Sequence, residues 1–429
     1  LVGILLYQQV DCTIYGIGVG GSFWMLLGLV LGLYAHEKAR GGFAGKCRRR
    51  GDRSPFKTGA ILLAILLCFG AAAPSRAAEG ECPAGPELSV TYVNGGIHPC
   101  HVSWEGMLRG YEIEIGWVPL NWGPSREGNL SFAPVRGHLM LRMAGDFSGM
   151  ELIPPFHWEQ AYILLEPRAG EGRGMVARRY EILAGRWRLG YIEAALLTGD
   201  FSPWYLNPYP LIPLEVTQLV LQYLGDPGGE NRCCNMIMAL DASRDGDRLD
   251  IFGSLYVDDL PPTGEWASHY KVGLQAGCRL ERPLGWAGTE LSLEYTAITR
   301  HTYTFYAEWP QGDYVDGDLL LGHPLGPDAD LVRARLSWDE GEKWLEVRRE
   351  RHGEGRFPDP MEPVAVRTWE LLTGTVETTY WLRGGCSFAL AGRLRLELEA
   401  GAGYARNLDH IAGRTGMRWS LEALLAYAL

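Results

Sequence analysis

Positive charge is scarce in this sequence: 40 Lys and Arg stand against 51 Asp and Glu, a formal net charge of −11. Such a chain repels phosphodiester backbones, so nucleic acid is not its main partner. Enzyme signatures are missing too. There is no GxSxG elbow, no HExxH and no Walker loop. The nine cysteines include no CxxC pair, and no Cys/His spacing suits a metal. No cofactor, no metal and no catalytic set are therefore expected. Past residue 85 no long segment has a helical period, and no repeat of about 20–50 residues is visible. Mean hydropathy is −0.08, which excludes a helical membrane protein throughout. Aromatics are plentiful, with 15 Trp and 20 Tyr; they serve as core, as carbohydrate platforms or as girdles at membrane interfaces.

Two apolar segments open the chain. The second has the order of an export signal: basic KCRRRGDRSPFK (46–57), apolar TGAILLAILLCFGAAAP (58–74) and small-residue SRAAEG (75–80). Cleavage is expected after Ala77 or Ala78. Leu67 before Cys68 argues against a lipoprotein signal. The first, TIYGIGVGGSFWMLLGLVLGLYA (13–35), is long enough to span a bilayer. It reads either as a transmembrane helix or as upstream sequence ahead of the true start, so 1–57 is left unassigned, 58–78 is the signal core and cleavage region, and 79–108 is an N-terminal mature segment. Six cysteines follow residue 78; Cys82 and Cys100 are the nearest pair, though spacing does not set connectivity.

From 109 to 429 the dominant pattern is alternation. In RLRLELEAGAGY (393–404), Leu394, Leu396 and Leu398 oppose Arg393, Arg395, Glu397 and Glu399. In 248–259, Leu249, Ile251, Leu255 and Val257 oppose Asp250, Ser254, Tyr256 and Asp258. In 290–300, Leu291, Leu293, Tyr295 and Ala297 oppose Ser292, Glu294 and Thr296. In 331–338, Val332, Ala334, Leu336 and Trp338 oppose Arg333, Arg335 and Ser337. Turn clusters such as SRDGDR (243–248) and WDEGEK (338–343) separate these runs. Alternation alone fits a soluble sandwich. Combined with an export signal, strands of about ten residues, and short turns alternating with longer connections, it fits a transmembrane barrel with leucines toward lipid and charges toward a wet lumen. Lipid tolerates no open sheet edge. The expected fold is all-β: a large closed antiparallel transmembrane β-barrel of roughly 16–18 strands. RWSLEALLAYAL (418–429) reads as one more such strand, its final Leu429 not aromatic.

Local clusters are weaker. Asp328 and Asp330 form a DxD, and Asp328 can cap its own turn after Pro327. GDYVDGD (312–318) reads as a solvated acidic loop rather than a calcium loop. Asp258 and Asp259 are adjacent and face opposite ways. His301 and His323 stand isolated. Sugar binding needs aromatic faces beside polar groups, and two stretches offer them: FSPWYLNPYP (201–210), with Trp204, Tyr205 and Tyr209, and HTYTFYAEW (301–309), with Tyr303, Tyr306 and Trp309. An interface girdle with packing is the competing reading of both.

Five blocks together resemble the Wzi-type capsule assembly family of outer-membrane barrels. They are PLNWGPSREGNLSFAP (119–134), with Trp122, Gly123, Pro124, Gly128, Leu130 and Ser131; 185–213, with Glu193, Asn207 and Pro208; the strand ending in paired acids at 248–260; LSLEYTAITRHTYTF (291–305), with Glu294 and Tyr295; and LLLGHPLGPDAD (319–330), with Gly322, Gly326, Pro327, Asp328 and Asp330. These residues read mainly as turn and scaffold positions. The resemblance implies an outer-membrane, lectin-like, non-enzymatic protein with a loop-occluded barrel. Its implied partners are outer-membrane lipid, capsular or other surface polysaccharide, and barrel-insertion machinery. Some members add a periplasmic helical bundle; 79–108 shows no such pattern. A porin-like channel for small solutes is the alternative, with Arg393, Arg395, Glu397 and Glu399 lining a conducting lumen.

Overall fold

The computed structural model describes residues 88–93, 96–108, 111–126, 128–132, 138–147, 155–199, 205, 214, 217, 232–258, 269–306, 309–339, 341–355, 357–359, 368–391 and 394–427. The two N-terminal apolar segments and the cleavage region lie outside the described residues, as do Cys82 and the side chain of Cys100, so the expectations for them do too. Cys278 and Cys386 are free thiols.

The chain is all-β. In order run β1 (Leu88–Val93), β2 (Gly96–Leu108), β3 (Tyr111–Val118), β4 (His138–Phe147), β5 (Phe156–Arg168), β6 (Glu171–Ala184), β7 (Trp187–Thr198), β8 (Arg232–Arg244), β9 (Leu249–Asp258), β10 (Val272–Glu281), β11 (Glu290–Ile298), β12 (Val315–Asp316), β13 (Leu319–Leu320), β14 (Ala329–Trp338), β15 (Lys343–His352), β16 (Glu377–Ala391), β17 (Leu394–Arg406) and β18 (Thr415–Tyr427). All but β12 and β13 form one 16-stranded antiparallel sheet in chain order, and β12 and β13 make a separate hairpin. The sheet starts earlier than the boundary read at 109, because β1 and β2 fall within 79–108. The end strands β1 and β18 approach within 8 Å between Cα atoms, so the sheet curls and acquires an inner and an outer face. Among the described residues no helix is long and apolar enough to cross a membrane, which says nothing about crossing by strands.

The register shows why the alternation matters. On the outer face one row across β14–β18 is Asp330, Arg351, Thr378, Arg406 and Thr415. The next is Val332, Arg349, Tyr380, Tyr404 and Met417. Then come Ala334, Val347, Leu382, Ala402 and Trp419, and after them Leu336, Leu345, Gly384, Ala400 and Leu421. Side-chain period two puts all of these on one side. Val347, Leu382, Trp419 and Leu421 are more than half exposed, so the structure leaves a broad apolar band uncovered, bounded at one edge by arginines and tyrosines. The inner face carries the opposite chemistry. Glu294, Arg333, Arg348, Trp381, Gly403 and Arg418 form one of its rows, and Arg333 bonds Glu294 at 2.9 Å. In the 393–404 run, Leu398 and Tyr404 are exposed, Glu399 pairs with Arg383 and Glu397 with Arg395 across 3.2 Å. The side chain of Arg393 lies outside the described residues.

Connections differ at the two ends. One end has the tight links 185–186, 245–248 and 339–342; the other has 119–137, 199–231, 259–271, 299–328 and 353–376. Two of the long ones fold inward and fill the concavity. Trp122 and Phe132 pack edge-to-face at 5.4 Å and join Met140, Ile163, Met175, Leu196, Tyr303 and Tyr314 in a single apolar cluster. Polar anchors hold this plug to opposite walls: Trp122 Nε1 donates to Glu159 on β5 at 3.2 Å, and Ser125 Oγ donates to Glu294 on β11 at 2.9 Å. Gly123 is required here. Its φ is +140°, and a Cβ would lie 2.3 Å from Asn129 Oδ1, the atom that accepts from Ser125 N–H at 2.9 Å. Pro124 offers its carbonyl to Arg279.

Candidate functional site

The interior of the plug is a tyrosine stack. Tyr303 and Tyr314 lie nearly parallel at 5.9 Å, and Tyr256 sits 5.2 Å from Tyr303. Each hydroxyl finds a carbonyl on the other inturned connection: Tyr303 Oη donates to Leu130 and Tyr314 Oη to Ser131, both at 2.8 Å. Asp258, fully buried, accepts the Tyr303 amide at 2.6 Å and lies 3.8 Å from Lys271 Nζ. Tyr303 is therefore a structural post and not a sugar platform, contrary to the sequence expectation; a buried ring with a satisfied hydroxyl gains more from packing than from exposure. Gly322 is needed because a Cβ would meet the Tyr303 ring at 2.3 Å.

The acidic clusters also change character. Asp313 accepts from Arg168 and from the Phe305 amide, each at 2.9 Å. Asp316 bonds His138 Nδ1 at 2.9 Å and the Glu166 amide at 2.7 Å. Of the acids in 312–318 only Asp318 is exposed, so this is a buried clasp rather than a solvated loop. Asp328 does not cap its own turn. It accepts from Gly355 N–H at 2.9 Å, Thr373 N–H at 3.0 Å and Thr373 Oγ1 at 2.6 Å. That ties the β15–β16 connection down, with Gly326 and Pro327 leading in and φ of +55° at Asp328 itself. Asp330 turns the other way and pairs with Arg351. The DxD acids thus share no ligand position.

His323 is enclosed beside this stack, with Leu325 N–H donating to its Nδ1 at 3.1 Å. Burial, reinforced by the charges of Arg333 and Arg348, lowers its pKa to about 3. Above the unfolded value of 6.5 the ring is neutral in both states and adds no pH dependence. Below it the unfolded chain takes up the proton and the folded chain does not. Its contribution should fall by about 1.4 kcal/mol per pH unit below 6.5, visible as a thermal midpoint in detergent that drops from pH 6.5 to 5 and drops less in His323→Asn. Equal slopes for the two proteins would remove His323 from the explanation.

Tyr205 is 2% exposed. It packs with Leu214, Tyr162, Val176, Ala195 and Leu197 in a second apolar cluster and cannot serve as an open sugar platform. Trp204, Asn207, Pro208 and Tyr209 lie outside the described residues. Glu294 is buried between Ser125, Gln275 and Arg333, while Tyr295 points to the outer face.

What remains open lies at the long-loop end. Trp309 is 36% exposed and Tyr306 half-buried; with Phe305 they form an aromatic trio at 5.2–6.4 Å. Lys271 Nζ, 5.7 Å above Phe305, donates to Thr304 O at 3.0 Å. Next along the chain from Lys271, Tyr270 stacks on Trp369 at 4.7 Å and 18°, and Trp369 is 65% exposed. Sequence reasoning missed Tyr270 and Trp369. The signal was there in Tyr270, just before a strand and next to His269, and in Trp369, next to Glu370, but the two lie in different connections. Around them, Arg300 bonds Asp359 at 2.6 Å and approaches Glu370 at 3.5 Å. His301 is not isolated: its ring stacks on His269 at 5.6 Å. The loop end therefore presents aromatic faces beside charged and hydrogen-bonding groups. On the inner face at the tight-turn end are two polar cavities. One of about 300 Å3 is lined by Arg126, Arg179, Arg188, Arg279, Asp241 and Asp250. The other, of about 130 Å3, shares Arg126 and Arg279.

No family model matches the chain, and no curated protein does. The structure is similar to that of Wzi, an outer membrane protein involved in group 1 capsule assembly in Escherichia coli and a carbohydrate-binding β-barrel. The TM-score is 0.51 at 15% identity, covering 79% of this chain and 72% of that one. At that identity the likeness concerns the fold alone.

Proposed function

We propose that this protein is a closed outer-membrane β-barrel that binds surface polysaccharide at its long-loop end and catalyses no reaction. The observation that carries the reading is the pairing of exposed aromatic faces, Trp369 on Tyr270 and Trp309 with Tyr306, beside polar side chains over an interior closed by its own loops. Supporting it are the exposed apolar band on the outer face, the approach of β1 to β18, and the carbohydrate binding of the structurally similar Wzi. Lipid of the outer membrane would cover the band, and assembly there would need barrel-insertion machinery. Capsular or another exported polysaccharide is the ligand class. Purified protein should be retained on immobilised surface polysaccharide. Trp369→Ala and Trp309→Ala should each weaken retention about tenfold, near 1.4 kcal/mol, without changing heat-modifiable gel migration. Unchanged retention in the double variant, with normal capsule in cells lacking the protein, would sink the reading.

A porin-like channel is the second reading, favoured by the arginine-lined inner cavities. The plug between Glu159 and Glu294 opposes it.

A further inference from the structure

We propose that His269, His301 and Glu370 bind a divalent transition-metal cation of the zinc class, joining three connections at the loop end. The proposal is independent of the polysaccharide reading, because the metal can be measured with no sugar present.

The three residues come from three connections whose bases are laced by backbone bonds. Thr299 N–H donates to Val272 O at 3.0 Å, Tyr270 N–H to Thr368 O at 3.2 Å and Arg300 N–H to Glu370 O at 2.8 Å. The ligand positions are thus set by sheet-like pairing and not by free loops.

Ring orientation points the same way. His301 Nδ1 lies 3.1 Å from the Asp359 carbonyl oxygen. A carbonyl only accepts, so Nδ1 carries the proton and Nε2 keeps its lone pair. His269 Nδ1 lies 2.7 Å from Thr368 Oγ1, a hydroxyl that can accept from the same tautomer. Metal-binding histidines are commonly oriented in this way through their second nitrogen. Both Nε2 atoms face one carboxylate, each a different oxygen: His269 Nε2 is 3.8 Å from Glu370 Oε1 and His301 Nε2 is 3.6 Å from Glu370 Oε2. Those gaps are too long for hydrogen bonds. They are close to the separation of roughly 3.3 Å between two ligands that each sit about 2.0–2.1 Å from a tetrahedral zinc. One donor atom from each of the three residues falls within 4.8 Å of the others.

Charge and ligand type agree. Glu370 and Asp359 carry two negative charges against the one on Arg300, which bonds Asp359 at 2.6 Å and lies 3.5 Å from Glu370 Oε2, leaving Glu370 Oε1 beside His269 clear of it. Two imidazoles and one carboxylate suit zinc and its neighbours, not calcium or magnesium, which prefer all-oxygen sets. Three protein ligands leave a position for water or a ligand oxygen. His301 holds φ of +64°, a left-handed conformation that costs a non-glycine residue energy and concentrates at functional positions.

The test uses the full chain in detergent, stripped with a chelator, dialysed and titrated with zinc chloride alone. Bound metal is read by elemental analysis. One zinc per chain is expected, and cobalt(II) loading should give the visible absorption of a four-coordinate ion. His269→Ala and His301→Ala should lose the zinc, and Thr368→Val should weaken it at least about tenfold, while His157→Ala, on β5, should leave it unchanged. Heat-modifiable migration confirms that each variant is folded. Should the histidine variants not fold, the wild-type cobalt spectrum and Thr368→Val decide. The proposal is overturned by a wild-type chain that retains no zinc, by a cobalt spectrum of a hydrated six-coordinate ion, or by folded His269→Ala and His301→Ala that hold zinc as tightly as wild type.

Discussion

Leu382→Arg should abolish stable assembly in a bilayer, whereas Thr378→Arg, four residues away on the same face, should be tolerated. Leu382 is 53% exposed in the middle row of the outer band, between Val347 and Ala402. Thr378 lies in the boundary row between Arg351 and Arg406. An arginine on the lipid side of a barrel costs about 2–4 kcal/mol at the midplane and about 0–1 near the interface. A cost that depends on depth along one face is specific to hydrocarbon. If water covered the face, both substitutions would replace a surface side chain with a soluble one and change stability by a few tenths of a kcal/mol. Urea unfolding in lipid vesicles, with heat-modifiable migration as the folded-state readout, distinguishes these outcomes. Equal behaviour of the two variants would mean that the band is not a membrane belt.

The faces of this sheet were legible because register leaves no freedom. A slip of one residue would turn Val332 and Leu336, or Leu291 and Leu293, inward, so Val332, Leu293 and Tyr295 had to share a side, as they do. The interior was not legible. Trp122 meets Glu159, Ser125 meets Glu294, and Tyr303 meets Leu130 and Asp258; none of these pairs is local, and alternation says nothing about a connection that folds into the concavity. An aromatic in a polar loop looks the same whether it lies at the surface, as Trp309 does, or is a buried post, as Tyr303 is. Burial also explains the acids: Asp313 and Asp316 look solvated beside Gly317, yet each meets a cation or an imidazole and an amide from another part of the fold. The same blindness hid His269 and Glu370 from His301, since metal-like sets are recognised in sequence only when their spacing is short.

Tyr303→Ala combined with Asp258→Ala should turn a silent barrel into a conducting one. These two residues supply several of the contacts that hold the plug. Asp258 fixes the Tyr303 amide at 2.6 Å, and Tyr303 fixes the Leu130 carbonyl at 2.8 Å. Its ring contacts both Tyr256 and Tyr314. Truncating a buried aromatic of this size costs about 3–5 kcal/mol, and the buried Leu130 carbonyl left without its donor adds about 1–3 kcal/mol. Lys271, 3.8 Å from Asp258, would also lose its carboxylate and disfavour the closed arrangement further. The strands should survive, because their ladders do not pass through either side chain, so the loss falls on the inturned 119–132 and 299–328 connections. Planar-bilayer recordings should show no steady conductance for wild type and persistent openings for the double variant. Tyr303→Phe, which removes only the hydroxyl, should give brief and infrequent openings. Steady conductance from wild type would favour the channel reading over an occluded polysaccharide-binding barrel. A silent double variant with normal heat-modifiable migration would mean that the tyrosine stack does not hold the plug.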